Sequence, residues 1–139
     1  MNDMTGQSKI PVYGSMTRPG NPDEGLSELK NSIIEWKNGD ILITYETDEF
    51  TSLCPKTGQP DFNIVKVSYV PTDKYIESKS MKFYLWSFRE FGMHCEHLAD
   101  KIANDIKEAT NAKFVRVECS QKARGGLKLQ AVKQIGEEL

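Results

Sequence analysis

Residues 41–70 read ILITYETDEFTSLCPKTGQPDFNIVKVSYV, and this stretch decides the fold. Its two ends, Ile41–Thr47 and Phe62–Val70, are rich in the β-branched and aromatic residues that are typical of strands. Between them lies a polar loop, Phe50–Phe62, whose glycine and prolines favour a turn. The stretch therefore predicts two neighbouring strands joined by a loop in which chemistry is expected.

That loop carries one thiol, Cys54, and one carboxyl, Asp61. A cysteine followed by proline can open a helical turn, where free backbone N–H groups and the nearby Lys56 would favour the thiolate. Asp61 follows after a turn and is able to fold back towards the thiol. A structural interpretation stays open beside this one, with Cys54 as a small buried apolar residue and Asp61 as a cap on the next strand.

Two helices are predicted after the hairpin, because the apolar spacing changes there from every second residue to three or four. The first begins at Glu77 and is broken by Gly92, and the second ends at Asn111. Their apolar positions are Met81, Tyr84, Leu85 and Phe88 in the first helix, and Leu98, Ile102 and Ile106 in the second.

Two further strands complete the expected sheet. Residues 113–119 and 127–131 alternate apolar with polar side chains and are linked through Arg124-Gly125-Gly126. The order ββααββ predicts an α+β domain with a four-stranded antiparallel sheet and both helices on one face. Such a sheet leaves two edges unpaired, which predicts a homo-oligomer in which edge strands of several copies form a closed barrel.

The chain of 139 residues fits one domain. Residues 1–25 are rich in glycine, proline and small polar residues without a sustained period, and they are interpreted as an arm that is mobile or lies along a neighbouring subunit. Residues 26–139 form the predicted domain. Its first part, Leu26–Trp36, fits either a short helix or an irregular lead-in.

Composition and charge exclude some partners. A charged fraction of 27% and a net charge of -2 provide no electrostatic footprint for nucleic acid or an anionic membrane. No apolar run reaches membrane-spanning length and Met1–Gly6 lacks a signal pattern, which favours the cytoplasm. The three cysteines, Cys54, Cys95 and Cys119, are an odd number without paired spacing, as expected in a reducing compartment. Cys119 is interpreted as a core residue.

Two motifs resemble a known family. Residues 49–62, EFTSLCPKTGQPDF, and residues 77–85, ESKSMKFYL, closely resemble the single-module QueF enzymes, which are NADPH-dependent 7-cyano-7-deazaguanine reductases of queuosine biosynthesis. The resemblance extends from about Asp40 to Leu129, with a third match at Arg124-Gly125-Gly126. The Glu-Ser-Lys signature marks these reductases within the tunnelling-fold (T-fold) superfamily, which also includes GTP cyclohydrolases and pterin synthases. That superfamily has the element order predicted above.

The resemblance implies a four-electron reduction of a nitrile to a primary amine on a free deazapurine base, with two NADPH per turnover and no metal. A nitrile carbon is a poor hydride acceptor, and covalent addition of a thiolate activates it as a thioimide. By resemblance, Cys54 is the nucleophile and Asp61 is the acid that protonates the nitrile nitrogen.

The resemblance also implies the binding residues. Carboxylates accept hydrogen bonds from the amino and ring N–H groups of a guanine-like base. The implied substrate contacts are Ile76, Glu77, Ser78, Cys95 and Glu96, and the implied NADPH contacts are Lys79, Lys82 and Arg124. Taken alone, Glu77 is also explained as a carboxylate at a helix start, and the lysines as a solvated helix face.

One departure from the family pattern lies before the second helix. Family members commonly have His-Glu there, whereas this chain has His94-Cys95-Glu96-His97. Base contact by His94 or His97 is therefore an open alternative. Two histidines at i and i+3, with two cysteines available, also permit a zinc site like that of the zinc-dependent cyclohydrolases.

The activity itself has two competing interpretations. An amidinotransferase-like relative would form the same thioimide and accept ammonia or an amino group without NADPH. A non-catalytic base binder would form the ring with Cys54 as a structural residue. The family's usual assembly is a decamer of two stacked pentamers, with active sites at the subunit interfaces.

Overall fold

The structure of the protein, a computed structural model, describes residues 18–139. Three helices and two antiparallel sheets make up this part of the chain. The elements in chain order are α1 (Pro22–Lys30), β1 (Ile33–Glu35), β2 (Ile43–Leu53), β3 (Pro60–Val70), β4 (Lys74–Ile76), α2 (Ser78–Trp86), α3 (Cys95–Thr110), β5 (Phe114–Arg124) and β6 (Leu127–Gly136).

The main sheet contains four antiparallel strands in the order β2-β3-β5-β6, and it confirms the predicted α+β architecture. β2 and β3 form one hairpin and β5 and β6 form the other. The two hairpins meet where β3 pairs with β5, with Val65 opposite Cys119 and Val67 opposite Val117. β2 and β6 are therefore the edge strands of this sheet.

The core lies between one face of the sheet and the helices. Alternate residues of β3 and β5 point inward because side chains alternate across a strand, and Val65, Val67 and Val117 are at most 1% exposed. α3 packs its apolar stripe on them, and Phe88 beyond α2 lies with its ring centroid 5.5 Å from that of Phe50. Within residues 18–139, no helix has the length and apolarity needed to cross a membrane.

The first helix and a small second sheet fall outside the predicted order ββααββ. α1 starts at Pro22, inside the segment interpreted as an arm. The side chain of Leu29, on this helix, is fully buried. Asn21 caps the helix by accepting a hydrogen bond from the Glu24 N–H at 3.0 Å. Residues 1–17 of that arm lie outside the described residues. β1 pairs with β4 over three residues each, far apart in the sequence.

Gly25 holds α1 close to α2. A Cβ atom at this position would lie 2.5 Å from Ser87 Oγ and 3.3 Å from a ring carbon of Tyr84. A second link is Lys101 of α3, whose ammonium contacts Asp23 at 2.8 Å and Asp105 at 3.1 Å. α1 is therefore part of the domain core.

We expect Gly25→Val to lower the free energy of unfolding by about 2 kcal/mol, because the added side chain forces α1 away from Ser87. Urea denaturation followed by circular dichroism measures this change. Ser27→Ala, on the exposed side of the same helix, is the matched control and is expected to change stability by less than about 0.5 kcal/mol. Equal stability of Gly25→Val and the unmodified chain would contradict the packing of α1.

Candidate active site

The loop between β2 and β3 is closed by its own backbone. The Cys54 N–H donates to the Gln59 carbonyl at 2.8 Å, and the Gly58 N–H donates to the Cys54 carbonyl at 2.8 Å. Gly58 has φ +72°, a conformation that glycine adopts without strain. The register pairs Ser52 with Asp61 across the strands, so the thiol and the carboxyl lie at the same end of the hairpin.

The turn lowers the pKa of the Cys54 thiol from its ordinary 9.0 to about 7. The main cause is a hydrogen bond from the Thr57 hydroxyl, followed by the backbone N–H groups of Thr57 and Lys56. The negative charge of Asp61 acts in the opposite direction and raises the pKa. Hydrogen bonds to the charged form favour it, so this turn promotes the thiolate of Cys54 near neutral pH.

Thr57 is a residue that the sequence interpretation did not select. Its Oγ1 accepts a hydrogen bond from the Gln59 N–H at 3.2 Å, which leaves its hydroxyl hydrogen for the sulfur of Cys54. A threonine three residues after a cysteine in a turn is a weak signal, because such hydroxyls usually bond only to the local backbone.

We expect Thr57→Val to raise the pKa of Cys54, because the largest hydrogen bond to the thiolate is lost. The rate of alkylation by iodoacetamide at pH 7 should fall roughly three- to tenfold, since only the thiolate reacts. Thr57→Ser keeps the hydroxyl and is the matched control. Equal rates for Thr57→Val and the unmodified chain over the range from pH 6 to about 9 would contradict this role.

Asp61 is buried and paired with Arg124. Its side chain is 5% exposed, and Arg124, whose side chain is 56% exposed, donates to its carboxyl at 2.6 Å. Arg124 lies at the β5–β6 turn, which brings the second hairpin to the loop of the first. In this structure Arg124 therefore contacts the carboxyl that was expected to act as an acid, while more than half of its side chain remains open to solvent.

The segment before α3 lies against the same loop. The Leu53 N–H donates to the Phe91 carbonyl and the Met93 N–H donates to the Leu53 carbonyl, both at 3.1 Å. This pairing places the start of α3 beside Cys54. His94 and Glu96 are exposed there, with Glu96 in the first helical turn.

Cys95 does not present its side chain to this surface. It is 3% exposed, and its thiol donates to the Cys119 carbonyl at 3.4 Å. Burial raises the pKa of the Cys95 thiol. The expected contact between Cys95 and a base is therefore not available to its side chain, because the helix directs that position into the core.

The Ile76–Glu77–Ser78 motif begins α2. Glu77 caps the helix, and its Oε2 accepts from the Lys79 N–H at 2.8 Å and from Ser78 Oγ at 3.2 Å. Ile76 is fully buried; its N–H donates to the Tyr69 hydroxyl and its carbonyl accepts from the Tyr45 hydroxyl. Glu77 thus fulfils the structural role of a helix cap within one copy of the chain.

Lys79 and Lys82 lie in a separate groove. This groove has a volume of about 1040 Å³ and runs between the edge strand β2 and helix α2, with Ser78 and Arg89 also on its wall. Cys54, Asp61 and Arg124 are not among its lining residues. One copy of the described chain therefore holds the expected residues in two places, at the hairpin loop and in the β2–α2 groove.

The residues considered for zinc do not form a cluster in the described part of the chain. His94 and His97 are exposed with ring centroids 6.4 Å apart, whereas Cys95 and Cys119 are buried. Across residues 18–139, no group of three or more histidine, cysteine, aspartate or glutamate side chains is arranged to hold a metal ion.

Comparison with known proteins identifies relatives. The family model described as QueF-like protein matches residues 60–138. A protein of Syntrophus aciditrophicus named NADPH-dependent 7-cyano-7-deazaguanine reductase is 42% identical over 122 residues, which are 88% of this chain and 83% of that protein. Proteins of the same name from Syntrophobacter fumaroxidans and Bacillus subtilis are 39% and 41% identical over 92% and 72% of this chain, and over 86% and 61% of their own lengths.

A solved structure shares the fold. The archaeosine synthase QueF-Like in its apo form superposes with a TM-score of 0.64 at 21% sequence identity. The superposition covers 75% of this chain and all of that one. This likeness confirms the tunnelling fold expected from the two motifs.

Proposed function

This chain belongs to the QueF-like family, and from that premise we propose that it is an NADPH-dependent reductase acting on 7-cyano-7-deazaguanine. The product is the amine 7-aminomethyl-7-deazaguanine, on the route to queuosine in transfer RNA. The observation that carries the proposal is the position of Cys54, with a pKa of about 7, and of the buried carboxyl of Asp61 at the same end of one hairpin. Nucleophile and acid side by side are what addition to a nitrile needs.

In the first step the Cys54 thiolate adds to the nitrile carbon. A C–S bond forms, one π bond of the nitrile opens and its electron pair moves to nitrogen. Asp61 receives the proton that the Cys54 thiol gives up and passes it to that nitrogen, which gives a neutral thioimide. Arg124 then faces the carboxylate that is left, and its guanidinium stabilises the new negative charge.

Two hydride transfers complete the reduction. NADPH, held by Lys79, Lys82 and Arg124, would supply one hydride in each of two steps. One hydride and one proton convert the thioimide carbon to a thiohemiaminal, and its C–S bond breaks to return Cys54 and leave an imine. A second hydride and a second proton convert the imine to the amine. The imine must be kept from water, because hydrolysis would divert it to an aldehyde.

The cofactor phosphates are assigned to Lys79 and Lys82 in the β2–α2 groove and to the exposed guanidinium of Arg124. Since one copy holds the loop and the groove in different places, the site is proposed to form between copies. The unpaired edges of β2 and β6 provide the means, because edge strands of neighbouring copies can pair and close a barrel. Glu77, Ser78 and Glu96 would contact the base in that assembly, next to the fully buried Ile76, and a decamer of two pentamers is the expected state.

NADPH absorbance measured with and without 7-cyano-7-deazaguanine tests the activity. The proposal predicts that absorbance falls only when the base is present, with two NADPH oxidised for each amine formed. Metal analysis of the same sample, and a parallel assay with ammonia and no NADPH, distinguish a zinc-dependent or amidine-forming enzyme. Amidine formation without NADPH oxidation would contradict the reductase.

A further inference from the structure

Three buried polar side chains lie together at the end of the sheet nearest Cys54. Ser52, Asp61 and Asn63 are 0%, 5% and 2% exposed. Ser52 is the cross-strand partner of Asp61, and Asn63 is the next inward position on β3 after Asp61. They form a small polar patch, here called the Asn63 patch, on the inner face of the sheet.

Most of this patch has no protein partner. Arg124 binds Asp61, but Ser52 Oγ and both amide atoms of Asn63 make no hydrogen bond to any residue of the described part of the chain. Such unpaired buried groups are rare in native proteins, because each has lost its bonds to water. An asparagine amide offers two donors and an acceptor, so the Asn63 patch is prepared for a polar ligand.

Cys95 offers no polar group to the Asn63 patch, because its thiol is already bonded. Its thiol bonds to the carbonyl of Cys119, which is paired with Val65, the next inward residue after Asn63. The Cys95 side chain is thus turned towards the core, one inward position along the sheet from Asn63. Ser52, Asn63 and Gln121, the cross-strand partner of Asn63, can offer hydrogen bonds near this level, and Asn63 is the one of them with both a donor and an acceptor atom buried and unpaired.

Resting on the proposed function, we propose that Asn63 is a substrate-binding residue that recognises the ring carbonyl of the deazapurine. In this base, the ring carbon that bears the nitrile and the ring carbonyl carbon are bonded to the same ring-fusion carbon. Once Cys54 is bonded to the nitrile carbon, the carbonyl oxygen therefore lies on the side of the base next to the nitrile. Asp61 faces the nitrile nitrogen, and Asn63, two residues further along the same face of β3, donates its Nδ2–H to the carbonyl oxygen.

The test is a comparison of two bases with two chains. KM and kcat are measured for 7-cyano-7-deazaguanine and for its analogue without the ring carbonyl, in the unmodified chain and in Asn63→Ala. We expect Asn63→Ala to raise KM for the natural base about 10- to 100-fold, because a donor to the carbonyl is lost. Removing the carbonyl from the base should raise KM similarly in the unmodified chain and have little further effect in the variant.

A structural role predicts a different pattern. Asn63→Ala removes an unpaired buried amide, so we expect its melting temperature to be maintained. Asn104→Ala, an exposed asparagine on α3 that bonds only to the Asp100 carbonyl among its described contacts, is the matched control. An unchanged KM in Asn63→Ala, with or without lower stability, overturns this inference alone. An unmodified chain that fails to reduce the nitrile base overturns the proposed function and this inference with it.

Discussion

Replacing Cys54 by alanine is expected to lower base-dependent NADPH oxidation by about 10³-fold or more, to the background of the assay. The reason is chemical: without the thiolate the nitrile is never converted to a thioimide, and a free nitrile is a poor hydride acceptor. Fold and assembly should persist, because Cys54 is at the surface of a loop that its own backbone closes. The measurement is NADPH absorbance at saturating base, with size-exclusion chromatography to verify the assembly.

Cys119→Ala is the matched control for Cys54→Ala. Cys119 is fully buried on β5, and burial raises its pKa to about 12, so it has no reactive thiolate at neutral pH. We expect this control to retain activity at a temperature well below unfolding. Turnover that survives in Cys54→Ala would show that Cys54 is structural and would leave a non-covalent mechanism or a base-binding role.

Asp61→Asn is expected to lower kcat about 10²- to 10⁴-fold, because the nitrogen that gains charge as sulfur adds has no proton donor. The same change removes a negative charge that raises the pKa of Cys54. The pKa of Cys54 should therefore fall, and alkylation by iodoacetamide below pH 7 should be as fast as in the unmodified chain or faster. The two measurements made together separate loss of the acid from loss of the nucleophile.

Asp48→Asn, an exposed carboxyl on β2, is the control for a general effect of charge. Normal turnover in Asp61→Asn would contradict the assignment of Asp61 as the acid. Slow alkylation in that variant would point instead to a collapsed loop, in which the Arg124 contact is needed to hold Cys54 in place.

Much of the fold was predictable because alternation and helical spacing are strong in the long elements. β3 alternates buried and exposed residues along most of its length, and α3 repeats its apolar side chains every three or four residues. The β1–β4 pair was not predicted, and α1 was expected only as one alternative, a short helix within Leu26–Trp36, whereas the helix begins at Pro22. Leu26–Trp36 contains the end of α1 and all of β1, and each of these has too few apolar positions to show a period. β1 has only three residues and pairs with β4, which is distant in the sequence, so local pattern does not reveal it.

The site was predictable in part. The hairpin places Cys54 and Asp61 at one end, and this follows from the register. The direction of Cys95 was also available from the sequence, because it shares helical spacing with Leu98, Ala99 and Ile102. The contact of Arg124 with Asp61 depends on how two hairpins meet, and the unpaired amide of Asn63 depends on what surrounds it, so neither could be read from local pattern.

The central claim is the covalent role of Cys54, and intact mass spectrometry tests it most directly. The chain is mixed with 7-cyano-7-deazaguanine in the absence of NADPH, so that a thioimide accumulates without being reduced. We predict that the mass increases by that of one base, that peptide mapping places the addition on Cys54, and that adduct formation accelerates with pH through about 7. A chain that consumes NADPH with this base and never shows the adduct, even at pH values above the pKa of Cys54, would contradict the account.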